Sequence, residues 1–216
     1  MQKLEREIVI VLGRTGQGKS VWTRQFLKHK PRIFVFDPLM DVRAEYVTQK
    51  DLLDIYDTGD LSNGDFRLGV ASPEYVELLS AISFIAGDAW LVIEEASFLF
   101  PPGGRAPEWL REPIFLGRHR RLSILITAQR PTSIPVDLRS QASRIVCFSQ
   151  HERRDTHWLD SYFLDQAEQI SNLEPLECLD TDGSGISRYF IEYASDDKNQ
   201  SISEEKPALK MPFQVL

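Results

Sequence analysis

An α/β domain, with a mostly parallel central sheet flanked by helices, is predicted by three observations. Short apolar runs alternate with helical stretches along most of the chain, which is the pattern of strands joined by crossover helices. The first apolar run leads straight into Gly13-Arg14-Thr15-Gly16-Gln17-Gly18-Lys19-Ser20, a complete G-x-x-x-x-G-K-S loop with a helix expected behind it. The fourth run ends on two adjacent carboxylates, Glu94 and Glu95, at the strand tips where open α/β sheets bind ligands.

The elements follow in order. Residues 7–12 contain the unbroken run Ile8 to Leu12 and form the first strand. A helix runs from Lys19 to about Lys30, burying Val21, Trp22, Phe26 and Leu27, and Pro31 ends it. Residues 33–37 are the second strand. A short helix is expected near 43–56, and the turn-rich stretch 58–65 leads into a third strand at 66–70. Ser72 is placed to cap a helix beginning at Pro73, with Glu74 in its first turn. Tyr75, Leu78, Leu79, Ile82 and Ile85 form its inward face. Residues 90–93 are the fourth strand. A proline-glycine loop at 101–105 and a helix over 107–120 precede the fifth strand, 123–127, and the sixth, 144–148. A long helix over 151–170, with Trp158, Leu159, Tyr162, Phe163 and Ala167 inward, and an edge strand over 187–193 complete one domain spanning 1–193. Residues 194–216 are polar and charged and are expected to be a disordered tail.

A chain of 216 residues is long enough to bury a proper core. It has no uncharged apolar stretch of about eighteen residues, so no membrane span is expected. The charged start, residues 1–7, is not the pattern of a signal peptide. Cys147 and Cys178 are expected to be buried thiols in a reducing compartment, and no Cys/His spacing reads as a metal site. The net charge of −7 is uneven. Residues 105–154 carry ten arginines and four acids, a balance of +6, whereas residues 155–216 carry −9. A basic middle in an acidic chain points to an anion-facing surface.

The chemistry reads from the loop outward. Its glycines let backbone N–H groups curl toward phosphate oxygens, and the helix behind adds the positive end of its dipole. Residues Gly13 through Val21 are therefore the expected nucleotide cradle, with Lys19 on the β- and γ-phosphates and the Ser20 hydroxyl on Mg²⁺. Glu94 is assigned to magnesium and Glu95 to activating the attacking water. Gln129, at the tip of the fifth strand, is placed to sense the γ-phosphate. Arg118 opens an arginine-rich edge, Arg118-His119-Arg120-Arg121, suited to neutralising phosphate charge in a neighbouring subunit's site.

These pieces, in this order, resemble the FtsK–HerA superfamily of DNA-translocating ATPases. The matching residues are Gly13–Ser20, Phe36-Asp37-Pro38 with Asp41, Leu91–Glu95, Gly117-Arg118-His119, Leu125–Pro131 and Gln141–Phe148. The resemblance implies a P-loop NTPase fold with a RecA-like (ASCE) core, ATP and Mg²⁺ as cofactors, and a homo-oligomeric ring, six-membered in that family, with Arg118 acting in trans. It further implies sequence-independent contacts to DNA phosphates, for which the 101–105 loop and Arg105, Arg111 and Arg120 are the candidates. A bare motor of this size is most similar to the genome-packaging ATPases of icosahedral viruses with an internal membrane. That implies action in the host cytoplasm, at a packaging vertex, on a capsid or membrane-vertex protein. One departure stands out: the first acid of the pair is usually Asp in that superfamily, and Glu94 is one methylene, about 1.5 Å, longer. Other readings of the same motifs are a filamentous-phage assembly or secretion ATPase, a nucleotide-dependent switch or small-molecule kinase, and an interaction protein that binds ATP without hydrolysing it.

Overall fold

A computed structural model describes residues 6–59, 61 and 64–193, except the side chains of 165 and 167. The expected inward Ala167 and the expected tail over 194–216 lie outside what is described. The strands are β1 (Ile8–Leu12), β2 (Arg32–Phe36), β3 (Glu45–Tyr46), β4 (Phe66–Val70), β5 (Ala89–Ile93), β6 (Leu122–Ala128), β7 (Arg144–Cys147), β8 (Glu177–Thr181) and β9 (Ile186–Phe190). They make one sheet in the order β3-β4-β2-β5-β6-β1-β7-β8-β9. All pairings from β3 to β7 are parallel, and β8 and β9 add an antiparallel hairpin at one side.

The central strands are apolar throughout because both faces are covered. Along β1, Ile8, Ile10 and Leu12 enter one core and Val9 and Val11 the other, as strand alternation requires. The larger core takes side chains from α2 (Gln49–Thr58), α3 (Val76–Ala86), α4 (Glu108–Arg120), α5 (Val136–Arg139) and α6 (Arg153–Phe163). The smaller one lies under α1 (Lys19–Leu27), through Val21, Trp22 and Leu27. Pro113 inside α4 has no N–H for the carbonyl four residues back. The buried Ser80 hydroxyl on α3 donates to that carbonyl, Trp109 O, at 2.9 Å.

The structure corrects several expectations. α1 stops at Leu27, where Arg67 Nη2 donates to the carbonyls of Leu27 (2.6 Å) and Lys28 (3.0 Å) and so takes over its end. The helix near 43–56 starts later, at Gln49, capped reciprocally by Thr48 and Asp51, and the two-residue strand β3 precedes it. Ser72 does not cap α3: its hydroxyl bonds Glu74, and one 3₁₀ turn, Pro73–Tyr75, comes first. Ile85, expected inward, is exposed. The long helix 151–170 breaks at Leu164, at φ 49°, and continues as a 3₁₀ stretch; no glycine or proline marks the break. The edge strand 187–193 spans Ile186–Phe190, and β8 beside it was not expected.

Candidate functional site

The carboxyl ends of β1, β2, β5 and β6 converge on the loop between β1 and α1. Gly13 continues β1, donating to Ala128 O at 3.2 Å, and a Cβ there would lie 2.6 Å from Phe148 Cβ. Gly16 and Gly18 sit at φ 79° and 117°, conformations that favour glycine. The helix begins without a side-chain cap, so its first amides are left to the loop mouth. Arg14, Thr15 and Gly16 are exposed, and Gln17, Gly18 and Ser20 are half-buried. The Val21 side chain packs into the smaller core, so only its backbone can serve a ligand.

Lys19 is buried, and its Nζ donates to the carbonyls of Gly13 (2.7 Å) and Arg14 (3.3 Å). Burial lowers its pKa, opposed by the negative charges of Glu95 and Glu94. Glu94 is buried at the end of β5 and accepts a bond from the Thr127 hydroxyl on Oε2 at 2.8 Å. Its Oε1 and the buried Thr23 hydroxyl on α1 make no hydrogen bond of full geometry, yet Thr23 lies close enough to favour the Glu94 carboxylate. Burial pushes the Glu94 carboxyl up from 4.5 to about 7; the Thr127 hydroxyl, Lys19 and the Thr23 hydroxyl counter this, and the charge of Asp37 adds to it. Asp37 accepts from the amides of Leu39 (2.9 Å) and Val42 (2.8 Å) and from the Tyr46 hydroxyl (3.1 Å), and so organises the loop after β2.

Glu95 adopts a left-handed conformation, φ 54° and ψ 74°, which is strained for a residue with a side chain. Its amide donates to Thr127 Oγ1 at 2.8 Å, and its carboxylate accepts from Ser97 (2.8 Å) and, more loosely, from Gln129 Nε2 (3.4 Å). The Gln129 carbonyl accepts from the buried Gln150 side chain at 2.7 Å. Arg130 next to it binds Asp155 (2.9 Å) and Glu152 at the start of α6. Lys19, Glu94, Glu95 and Gln129 thus meet at one mouth.

Arg118 does not join them within one chain. It is exposed in the last turn of α4, just before β6, at the amino end of the parallel strands. β6 has seven residues at ~3.3 Å each, so Gln129 lies roughly 20 Å away. Arg6 is beside Arg118: burial and then the Arg118 charge push its pKa down to about 10. The expected grip arginines also fail to form one patch. Arg105 lies on the loop before α4, Arg111 pairs with Glu108 at 3.2 Å, and Arg120 sits at the far end of the thirteen-residue helix against Phe84. An open cavity of about 630 Å³, lined by Lys28, His29, Lys30, Asp65 and Arg67 among others, is likewise at the amino edge and apart from the loop mouth.

The residues fit a nucleotide with magnesium. Among the described residues, no group of three or more His, Cys, Asp or Glu side chains is placed to hold a metal alone. A magnesium ion typically takes one or two protein ligands and completes its shell with waters and phosphate oxygens. Glu94 Oε1, with no hydrogen bond of full geometry, has that capacity. Sequence reasoning missed Thr127; its signal was a hydroxyl inside the buried run Ile124-Leu125-Ile126-Thr127-Ala128. It also missed the hairpin behind the loop. Leu176 N donates to Gln17 O at 2.9 Å, a Cβ on Gly18 would meet Leu176 and Ile191 at 2.9 Å, and Trp22 Nε1 donates to the Tyr189 hydroxyl at 2.9 Å.

No protein-family model matches the chain, and no curated protein matches it. Solved structures do. The genome packaging NTPase B204 of Sulfolobus turreted icosahedral virus 2, in complex with AMPPCP, superposes with a TM-score of 0.69 at 22% identity, over 85% of this chain and 97% of that one. The pCW3 conjugation coupling protein TcpA, with ATPγS, gives 0.60 at 16% identity, over 92% of this chain and 63% of that one. VirB4 of Thermoanaerobacter pseudethanolicus gives 0.59 at 11% identity, over 88% and 91%. The chain therefore has the mostly parallel, helix-flanked fold of these P-loop proteins.

Proposed function

We propose that this protein is a magnesium-dependent ATPase that drives DNA translocation, and that its task is packaging a viral genome into a capsid. The observation that carries the proposal is the convergence of Lys19, the paired acids and Gln129 on a loop whose free amides open a phosphate cradle. In this reading residues 13–21 hold the triphosphate and Lys19 neutralises its β- and γ-oxygens. Ser20 and Glu94 hold the metal, which when bound supplies further neutralisation of phosphate charge. Glu95 orients and deprotonates the attacking water, and Gln129, hydrogen-bonded to Glu95, senses the γ-phosphate. Arg118 completes the site of the next subunit in a ring, which explains why it lies at the opposite edge of its own sheet. DNA contacts fall to the Arg105 loop and are sequence-independent.

Near end-to-end coverage of B204 supports packaging within the wider class, while TcpA and VirB4 support the class alone. Among the described residues no helix is long and apolar enough to cross a membrane. The proposal puts the motor in the host cytoplasm, docked on a capsid or vertex-membrane protein.

The test is phosphate release by the purified protein with and without random-sequence duplex DNA, for wild type, Lys19→Ala and Glu95→Gln. DNA should stimulate wild-type release. Both variants should lose it, Glu95→Gln by about 10²–10⁴-fold with nucleotide binding retained. Release indifferent to DNA would remove translocation from the proposal, and no release in any oligomeric state would remove hydrolysis.

A further inference from the structure

We propose that Thr127 is a positioning residue that sets both acids of the pair at once, an inference that rests on the hydrolytic function proposed above. Its side chain is fully buried in β6. Its Oγ1 lies 2.8 Å from Glu94 Oε2 and 2.8 Å from the Glu95 amide nitrogen. The amide can only donate, so it occupies a lone pair of the hydroxyl. The single hydroxyl hydrogen then goes to Glu94. One oxygen atom therefore orients the carboxylate of the first acid and the backbone of the second.

That bond matters most at Glu95. A residue with a side chain stays at φ 54° only where its surroundings over-determine it. Thr127 holds its amide; Ser97 and Gln129 hold its carboxylate. Thr127 is the next-to-last residue of β6 and Gln129 follows its last, Ala128, so both stand at one strand tip. The same strand tip thus grips Glu95 at both ends. It is itself tied to α6 through Arg130 and Asp155. Movement of that tip, from a phosphate at Gln129 or from α6, carries the water-activating carboxylate and the Glu94 carboxylate together.

The experiment uses the full chain and measures kcat and KM for ATP in Thr127→Val, Thr127→Ser and Ser123→Ala, with the melting temperature of each. Valine keeps the shape and removes the hydroxyl; serine keeps the hydroxyl. Thr127→Val should lower kcat by about 10–100-fold, the range seen when outer partners of site ligands are removed. KM should be unchanged, and Thr127→Ser should regain most of the rate. Ser123 is the internal control: its buried hydroxyl, on the same strand, accepts from the Glu7 amide at 3.1 Å, remote from the loop mouth. Ser123→Ala should lower the melting temperature and leave kcat alone. Should Thr127→Val fail to fold, Thr127→Ala is read in the same way. Wild-type kcat in Thr127→Val, or an equal loss of kcat in Ser123→Ala, overturns the proposal. No phosphate release from the wild type overturns the proposed function and this inference with it; turnover in the wild type with an unimpaired Thr127→Val overturns this inference alone.

Discussion

At the amino ends of the parallel strands, three arginines are committed to the backbone. Arg6 donates to the carbonyls of Leu122 (3.1 Å) and Pro113 (2.7 Å), Arg32 reaches Gly87 O, and Arg67 closes the end of α1. At the carboxyl ends, a buried lysine and two carboxylates face one another. Lys19 lies in the field of Glu94 and Glu95, one oxygen of Glu94 makes no hydrogen bond of full geometry, and Glu95 holds a strained backbone. On the amino edge these arginines mostly find carbonyl acceptors, which is how a sheet is made stable, although the buried Nε of Arg32 has none. The carboxyl edge keeps unmet valences in a buried place, a cost that persists where a ligand relieves it. Arg118, exposed on the same edge, donates to His119 Nε2 at 3.4 Å rather than to a backbone carbonyl.

Four substitutions break or sharpen that contrast. The largest effect is expected at Arg118. Arg118→Ala should cut assembled turnover by about 10³-fold while leaving the melting temperature unchanged. Mixing it with Lys19→Ala subunits should restore part of the activity. Undiminished turnover would return Arg118 to the structural set around it.

Next is Glu94→Gln, read as stability without nucleotide and with metal chelated. The folded carboxyl titrates at about 7 rather than 4.5, so folding favours its protonated form. Wild-type stability should then fall as pH rises from about 4.5 and level off above about 7. The amide never ionises and can still accept from Thr127. Glu94→Gln should therefore be more stable than wild type by about 3 kcal/mol at pH 8, with the gap closing toward pH 4.5. Denaturant melts across that range measure it; a gap independent of pH would mean the carboxylate is solvated.

Gln129→Ala comes third, with a loss of about tenfold in kcat, or about 1.4 kcal/mol, and unchanged nucleotide affinity. Stopped-flow phosphate release separates this from a binding defect. Smallest is Arg6→Ala, which should cost about 1 kcal/mol of stability and nothing in turnover per folded molecule.

What was legible in the sequence was what is contiguous. The Gly13–Ser20 loop carries its turn chemistry, its lysine and its helix start in eight adjacent residues. The acid pair is read from the strand that runs into it. The parallel strands are read from apolar runs that both covered faces demand. Illegible features take their justification from partners remote in the chain. β8 carries Glu177 and Asp180 at buried positions, which argues against a strand until Arg188 and Arg144 are found beside them at 2.7 and 2.6 Å. Thr127 has a role only because β5 lies alongside β6. Ser72 looked like a cap because its residue type and the following Pro73 were right, yet Glu74 took its hydroxyl. The break at Leu164 has no local cause in residue type at all.

The hairpin behind the phosphate loop bears on how this protein is made. Every motif of the proposed motor precedes residue 150, but Gly18 rests on Leu176 and Ile191, and Gln17 is tethered by the Leu176 amide. A nascent chain leaving the ribosome has therefore not finished its Gly13–Ser20 loop until nearly two hundred residues have been synthesised. A truncation that stops after β7 would retain every recognisable signature and lack the wall those signatures lean on.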